Sequence, residues 1–386
     1  MVTCLACGSP SLVPCLDLGN QPLANDFRSS PDEREETWPL AVVRCRECCH
    51  LQLDYFIDPD LMFKHYLYVS GTSGTYRKYL DWFAEFTGVQ PGQKVLDVGC
   101  NDGTQLDMFK LRGAETWGVD PAENLWPLSS KKHNVTLGYF GDSYEPGVLF
   151  DIVNAQNVFA HQRDPLGTLK NMKRVTHAQS RIYIQTSQAD MVLNGEFDTI
   201  YHEHINFFNI LSFQKLADRA GLVLMDVLKT PIHGTSYMFI LGQGPPSANV
   251  AQLMERERAQ GLYDGPLYDA WAVKCLEFKT RLKRRLAGAY VVAYGAAAKG
   301  NTLLNFVGVR PQVIIDDNPL KQGRWSPGQR SPVVPKSWLE TAPDQSLTFL
   351  PLAWNLFDEI RRQVLEVRSD PRDEFINLKE YFAETL

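Results

Sequence analysis

Between residues 94 and 186, short apolar runs alternate with helical stretches. That alternation restricts the possible folds more than any other feature of the chain. The runs fall at 94–98, 115–119, 135–139, 151–155 and 181–186. Each run is short and strand-like, with apolar residues such as Val95, Leu96 and Val98 or Ile152 and Val153, so each is predicted to be a strand. Strands separated by helix-length segments form βαβ units, which point to a parallel sheet flanked by helices. Two later runs, 222–228 and 237–241, are placed to pair as a hairpin at the end of that sheet. A helical pattern begins at Tyr76, with Leu80, Trp82, Phe83 and Phe86 expected mostly on one face. The preceding stretch, 56–75, is rich in Tyr, Ser, Thr and Gly and reads as loop or short helix.

Residues 242–250 (GQGPPSANV) form a Gly/Pro-rich break. A long helical stretch follows to about Ala287, and a second α/β pattern then starts. Its predicted strands are 290–294, 313–315 and 347–351, and the segment GAAAKGNT leads into a helix after the first.

The N-terminal segment carries two short pairs, Cys4-x-x-Cys7 and Cys45-x-x-Cys48. A tetrahedral zinc ion takes four thiolates at about 2.3 Å, and each CxxC turn presents two of them to one point. Cys4, Cys7, Cys45 and Cys48 are therefore the expected ligands. Cys49, His50 and Cys15 compete for the fourth place, and four unrelated buried thiols are the plain alternative. Four thiolates leave no position for a reacting water, so the site is expected to be structural. The fold class is thus α/β, with a zinc-binding domain over 1–55, a central Rossmann-like domain over 56–245, and a helical linker with a C-terminal Rossmann-like domain over 246–386.

The net charge of −6, from 39 Lys+Arg against 45 Asp+Glu, gives no electrostatic reason to expect nucleic acid. No run of roughly 18 apolar residues appears, so no membrane partner is expected. The opening MVTCLACGSP lacks the charged and apolar regions of a signal peptide. The eight cysteines are accordingly expected to be reduced, in the cytoplasm. The domain arrangement suits a monomer or a weak homo-oligomer.

The segment VLDVGCNDG (95–103) runs an apolar strand into a glycine turn, with a helix starting near Thr104. Ligands of doubly wound sheets bind at the carboxyl ends of strands. Gly99 and Gly103 would let the backbone approach one closely, and Asp97 and Asn101 stand on the same turn. The usual nucleotide pattern would place a third glycine at Asn101. The loop alone does not separate a dinucleotide from another nucleoside cofactor. Asp120 ends the next strand, where a carboxylate would accept hydrogen bonds from ribose hydroxyls; capping a helix N-terminus before Ala122 is its alternative role. Phe140-Gly141-Asp142 would frame an adenine. Asn157 and His161 follow the fourth strand, where cofactor and substrate would meet.

These motifs together resemble the sugar C-methyltransferases, which act on nucleotide-linked deoxysugars. The resemblance covers nearly the whole chain. It rests on the two CxxC pairs, Tyr68 with Ser70-Gly71-Thr72-Ser73, VLDVGCNDG, Asn157-Val158-Phe159-Ala160-His161 and Tyr201-His202-Glu203-His204. In the C-terminal part it rests on YGAAAKGNT (294–302), Asp317-Asn318-Pro319, Lys321-Gln322-Gly323 and Ala353-Trp354-Asn355. The resemblance implies S-adenosylmethionine and structural zinc as cofactors. It implies a nucleotide-sugar substrate, often linked to thymidine diphosphate, methylated at a carbon beside a keto group.

A ketone makes its neighbouring C–H acidic because the carbanion delocalises into an enolate. A base must take the proton and a polar group must stabilise the oxygen. The resemblance makes His204 the base, with an imidazole pKa of about 6.5 before perturbation. Glu203 would orient it or hold a sugar hydroxyl, and Tyr201 and His161 would donate to the enolate oxygen or the sugar. Tyr66 and Tyr68 would close over the substrate, and Lys299 would suit its diphosphate or a domain contact.

Alternatives stand beside each role. Residues 201–204 would serve equally to satisfy buried backbone groups, His202 and His204 as metal ligands, Asn157 as a turn cap and Lys299 in a surface ion pair. A hydroxyl or amine acceptor would make the protein an O- or N-methyltransferase, and loss of turnover would leave a zinc- and cofactor-binding protein. Two departures bear on the acceptor. The family's His-Gly-Gly-Ser followed by Arg reads His233-Gly234-Thr235-Ser236 here, without that arginine, and Gln185 stands where the family often has Glu.

Overall fold

The computed structural model describes residues 3–64, 69–72, 74–187, 190–230 and 235–385. Tyr66, Tyr68 and His233-Gly234 lie outside the described residues. Strands β1 (Leu12–Gln21), β2 (Trp38–Cys45) and β3 (Leu51–Leu53) open the chain. The predicted runs then appear in order as β4 (Lys94–Val98), β5 (Glu115–Asp120), β6 (Asn134–Leu137), β7 (Phe150–Gln156) and β8 (Thr176–Ser187). A short β9 (Asn206–Phe207) precedes β10 (Val223–Thr230) and β11 (Ser236–Gly242). The sheet order is β10-β11-β8-β7-β4-β5-β6. Neighbours from β8 to β6 are parallel, and the β10–β11 hairpin joins β8 antiparallel, as its spacing predicts. The direction of strand succession reverses between β4 and β7, which places a crevice at their carboxyl ends.

Val95, Leu96 and Val98 of β4 and Ile152, Val153 and Ala155 of β7 are all buried. These apolar positions mark both strands in the sequence, although Asp97 and Asn154 interrupt them and are buried as well. The helix Gly74–Phe86 buries Tyr76, Tyr79, Leu80, Phe83 and Ala84, an i, i+3, i+4, i+7, i+8 stripe. Trp82 and Phe86 instead stay exposed at 41% and 37%, which corrects the predicted face. Phe83, 0% exposed, contributes about 1.5–3 kcal/mol by its burial.

The predicted long helix is two, Ala248–Ala259 and Gly265–Arg285. The break contains Gly261 at φ +80°. The second α/β pattern folds as β12 (Val291–Tyr294), β13 (Val313–Ile315), β14 (Val333–Val334), β15 (Thr348–Pro351) and β16 (Glu374–Phe375), a sheet of order β14-β13-β12-β15-β16 with parallel pairs throughout. The strands β14 and β16 span two residues each, too short to leave a pattern in the sequence.

Contacts divide the chain into two compact units. One comprises Met1–Val13, Val43–Ala189 and Glu203–Gly265; the other comprises Pro14–Val42, Asp190–His202 and Pro266–Leu386. The first holds the seven-stranded sheet, both CxxC turns, and the antiparallel pair β3–β9 with Leu51 opposite Phe207. The second holds the five-stranded sheet. Phe197 belongs to the second because its ring packs on Phe278, Phe306, Trp354 and Phe382 at centroid distances of 5.2–6.2 Å.

Candidate functional site

The four predicted thiols converge. The sulfur atoms of Cys4, Cys7, Cys45 and Cys48 all lie within 4.8 Å of one another, the only such metal-ligating group among the described residues. Cys4 Sγ is 3.6 Å from Cys48 Sγ, and Cys7 Sγ is 3.5 Å from Cys45 Sγ. Ligands 2.3 Å from a tetrahedral zinc would stand about 3.8 Å apart, so the set fits the ion. The two turns are alike. Cys7 N–H donates to Cys4 Sγ and Glu47 N–H to Cys45 Sγ, both at 3.4 Å. The residue after each second cysteine is left-handed, Gly8 at φ +81° and Cys49 at φ +52°.

That equivalence settles the competition for the fourth place. Cys49 Sγ accepts from Arg44 Nη1 at 3.7 Å, and His50 Nε2 pairs with Asn206 Oδ1 at 3.1 Å. Burial raises the Cys45 thiol to about 11, and the hydrogen bond between Cys4 and Cys48 raises Cys48 and lowers Cys4 to about 4. A bound dication would favour the thiolate form of all four. Asn209 caps the helix Ile210–Ala220 and its Nδ2 also donates to the Cys48 and Cys49 carbonyls at 3.2 and 2.9 Å. The second CxxC turn is thereby fastened to the start of that helix.

The loop after β4 is built from left-handed residues: Gly99 at φ +76°, Asn101 at +52° and Gly103 at +83°. Asparagine tolerates this region, which explains how Asn101 replaces the expected glycine. A Cβ on Gly99 would lie 2.5 Å from Val158 Cγ2, so the loop packs directly on the turn after β7. Asp120 caps a turn instead of the expected helix start: Oδ2 accepts from Asn101 N–H and Oδ1 from Ala122 N–H, each at 2.8 Å, and the next helix begins only at Trp126. Each carboxylate oxygen keeps a further acceptor site for a ligand hydroxyl. Burial raises the Asp97 carboxyl well above its ordinary range, and the charges of Asp120 and Asp102 add to the shift. A cationic nucleoside cofactor such as S-adenosylmethionine would relieve this concentration of negative charge.

Asp102 was not among the predicted residues. Its Oδ2 accepts from Gly71 N–H at 2.9 Å, and Asn101 Oδ1 accepts from Ser70 N–H at 3.0 Å, so Ser70–Thr72 sits against the glycine loop. Asn157, left-handed at φ +56°, donates from Nδ2 to Tyr76 Oη at 3.3 Å. Its N–H is shared between the backbone carbonyl and Oε1 of Gln185, both at 2.9 Å. Of the adenine candidates, Asp142 accepts from Asn171 Nδ2 at 2.8 Å and Phe140 packs on Tyr144.

His161 Nδ1 lies 2.6 Å from the Glu203 carbonyl. A carbonyl only accepts, so Nδ1 carries a proton; a second backbone hydrogen bond, to Asn157, also engages the ring. Burial holds the His161 pKa below its ordinary value. Its ring stands 5.2 Å from that of His204 and 5.4 Å from that of Phe63, and Glu203 and His204 are both buried. His202 behaves differently, because its Nε2 donates to the Pro39 carbonyl at 3.2 Å and its ring meets Trp38 edge-on. The boundary between the units falls within the tetrapeptide, with Tyr201 and His202 in the second and Glu203 and His204 in the first.

Lys299 lies in the second unit, in the first turn of the helix Ala298–Val307. Its charge offsets part of the burial that raises Asp198 to about 7 and that also raises Glu196. Both acids also belong to the second unit.

Residues 4–63 match the family model of a zinc binding domain, residues 71–227 that of a methyltransferase domain, and residues 231–376 that of a C-methyltransferase C-terminal domain. The C-methyltransferase NovU of Streptomyces niveus is 30% identical over 385 residues, covering 92% of this chain and 90% of that protein. A ubiquinone biosynthesis O-methyltransferase of Aeromonas salmonicida is 23% identical over 183 residues, covering 42% of this chain and 77% of that protein.

Proposed function

This chain belongs to the C-methyltransferase family and is an S-adenosylmethionine-dependent C-methyltransferase with a zinc-binding N-terminal domain, and from that premise we propose that its acceptor is a nucleoside-diphosphate-linked 4-keto-deoxysugar. The methylated carbon lies beside the keto group, and thymidine diphosphate is the favoured carrier. The observation that carries the reading is the pairing of two histidine rings 5.2 Å apart, one donating from Nδ1 to the Glu203 carbonyl.

In this account His204 removes the proton from the ring carbon. His161, whose pKa is lowered by burial, keeps a second positive charge away from His204 as it gains a proton. That matters because two adjacent imidazolium ions would repel each other and lower the basicity of both. Glu203 orients the base or holds a sugar hydroxyl, and Tyr201 donates to the developing enolate oxygen. The resemblance also gives Tyr66 and Tyr68 as substrate residues and assigns the diphosphate to Lys299. Asp97, Gly99, Asn101, Gly103, Asp120 and Asn157 hold the methyl donor, which supplies an electrophilic methyl on a sulfonium for attack by carbon. The zinc site is structural, and the functional segments divide at 1–55, 56–245 and 246–386.

The test incubates the protein with methyl-labelled S-adenosylmethionine and a panel of thymidine diphosphate 4-keto-6-deoxysugars, with product analysis by mass spectrometry and NMR. Label on a ring carbon next to the ketone is expected. Label on oxygen or nitrogen would replace the carbon-acid reading. Intact binding of S-adenosylmethionine without transfer to any member would overturn the sugar assignment.

A further inference from the structure

Gln185 lies near the carboxyl end of β8, opposite Gln156, the last residue of β7, on the side where ligands of such sheets bind. Its side chain is 0% exposed. Oε1 accepts the Asn157 N–H at 2.9 Å. Because that partner is a backbone donor, the oxygen must face it, and the amide cannot be turned over. Nε2 therefore points the other way with two N–H donors, and it has no hydrogen-bond partner among the described residues. A buried amide left in this state is destabilising, and Asn157, a non-glycine residue at φ +56°, adds backbone strain beside it.

The surroundings narrow the role. Along β8, Tyr183 packs on Phe83 and Phe86 of the helix Gly74–Phe86, and Gln185, two positions on, shares that face of the strand. The same helix supplies Tyr76, bonded to Asn157, and Tyr79, whose hydroxyl donates to Gln156 Oε1 at 3.2 Å. Gln156, Asn157 and Gln185 thus form a polar row across the ends of β7 and β8, with aromatic rings at its side. The donors of Gln185 suit a neutral or partly negative oxygen. They do not suit the positive sulfonium of the methyl donor.

We propose that Gln185 determines acceptor specificity: its Oε1 fixes Asn157 while its Nε2 donates to an oxygen substituent of the methyl acceptor, a ketone or hydroxyl on the sugar ring. The proposal rests on the keto-sugar reading given above. It also gives a chemical consequence to the glutamine at this place, because an ionised glutamate would accept equally well from Asn157 and would donate to nothing.

Gln185→Glu separates the two roles. The variant keeps an acceptor for Asn157 N–H and removes the donor at neutral pH. With the thymidine diphosphate 4-keto-6-deoxysugar that the wild type methylates, kcat/KM at pH 8 is expected to fall about ten- to a hundredfold, the scale of one lost hydrogen bond that leaves its partner unpaired. Activity relative to wild type should recover toward pH 5.5 as the introduced carboxyl gains a proton and can donate again. The dissociation constant for S-adenosylmethionine, measured by calorimetry, should change less than threefold. Gln185→Met, uncharged and of similar length, should lose sugar turnover at every pH without acid recovery. Wild-type kcat/KM in the Gln185→Glu variant would overturn the proposal and leave Gln185 as a support for Asn157. A Gln185→Met variant that binds the cofactor and turns over normally would overturn it as well. A wild-type protein that methylates no keto-sugar would instead remove the reading on which it rests.

Discussion

The Nδ1–H of His161 donates to the main-chain carbonyl of Glu203 at 2.6 Å. The turn after β7 is thereby tied to the residue immediately before His204, and Ile205 N–H reinforces the tie by donating to the Ala160 carbonyl at 2.6 Å. Two segments far apart in sequence are held in register at the place where the sheet offers its ligand crevice.

Burial keeps the His161 pKa below its ordinary value near 6.5, and the same holds for His50, His133 and His202. The neutral form is favoured in the fold, whereas the unfolded chain takes up protons at about pH 6.5. Stability from these groups is therefore present above that pH and is lost as the pH falls below it. Thermal melts between pH 8 and 5 should show Tm declining on the acid side. His161→Gln should lessen that slope by up to one proton, about 1.4 kcal/mol per pH unit. An unchanged slope would place the ionised form in the fold.

His204→Asn should bind S-adenosylmethionine with nearly wild-type affinity and turn over at least about a hundredfold more slowly, the usual scale of a lost general base. Calorimetry and steady-state rates on the same preparation check both halves. Near-normal turnover would give the proton to another group.

Cys48→Ser should lose the bound zinc, while Cys49→Ser should keep it, because Cys49 Sγ pairs with Arg44 and stands outside the thiolate group. Metal content per chain, read by atomic emission, decides this. Chelating the metal should expose the two CxxC turns to thiol reagents before the seven-stranded sheet unfolds, as binding energy at such a site is folding energy.

Gly99→Ala should abolish cofactor binding through two separable effects. The positive φ strains any side chain, and the new Cβ would lie 2.5 Å from Val158 Cγ2. Adding Val158→Ala should restore part of the stability and leave the backbone strain, roughly 1 kcal/mol. Full rescue in the double variant would assign the whole effect to the clash.

The parallel sheet was legible because apolar runs alternate with helix-length segments in the sequence, whereas the order of its strands emerges only in the fold. The zinc ligands were legible for the same local reason, since each CxxC turn carries its own geometry. Choosing Cys48 over Cys49 needed the folded turn, in which Cys49 takes the left-handed position that Gly8 occupies in the first pair. The exposed Trp82 and Phe86 misled the helix face because large aromatics mimic a core stripe. The assignment of Phe197 to the second unit rests on contacts with residues 278–382, a separation that no local pattern records. Asp102 and the unpaired nitrogen of Gln185 were invisible for a related reason: a side chain's hydrogen-bond partners are set by tertiary packing, although the departure from Glu at 185 marked the position.

The central claim is that His204 makes a sugar carbon nucleophilic before any methyl moves. The most direct measurement is hydrogen exchange at that carbon in deuterated water, followed by NMR. It uses the thymidine diphosphate 4-keto-6-deoxysugar with S-adenosylhomocysteine in place of the methyl donor. The account predicts deuterium incorporation beside the ketone with wild-type protein and at least about a hundredfold slower incorporation with His204→Asn. Equal exchange in both proteins, or exchange no faster than in buffer, would contradict it.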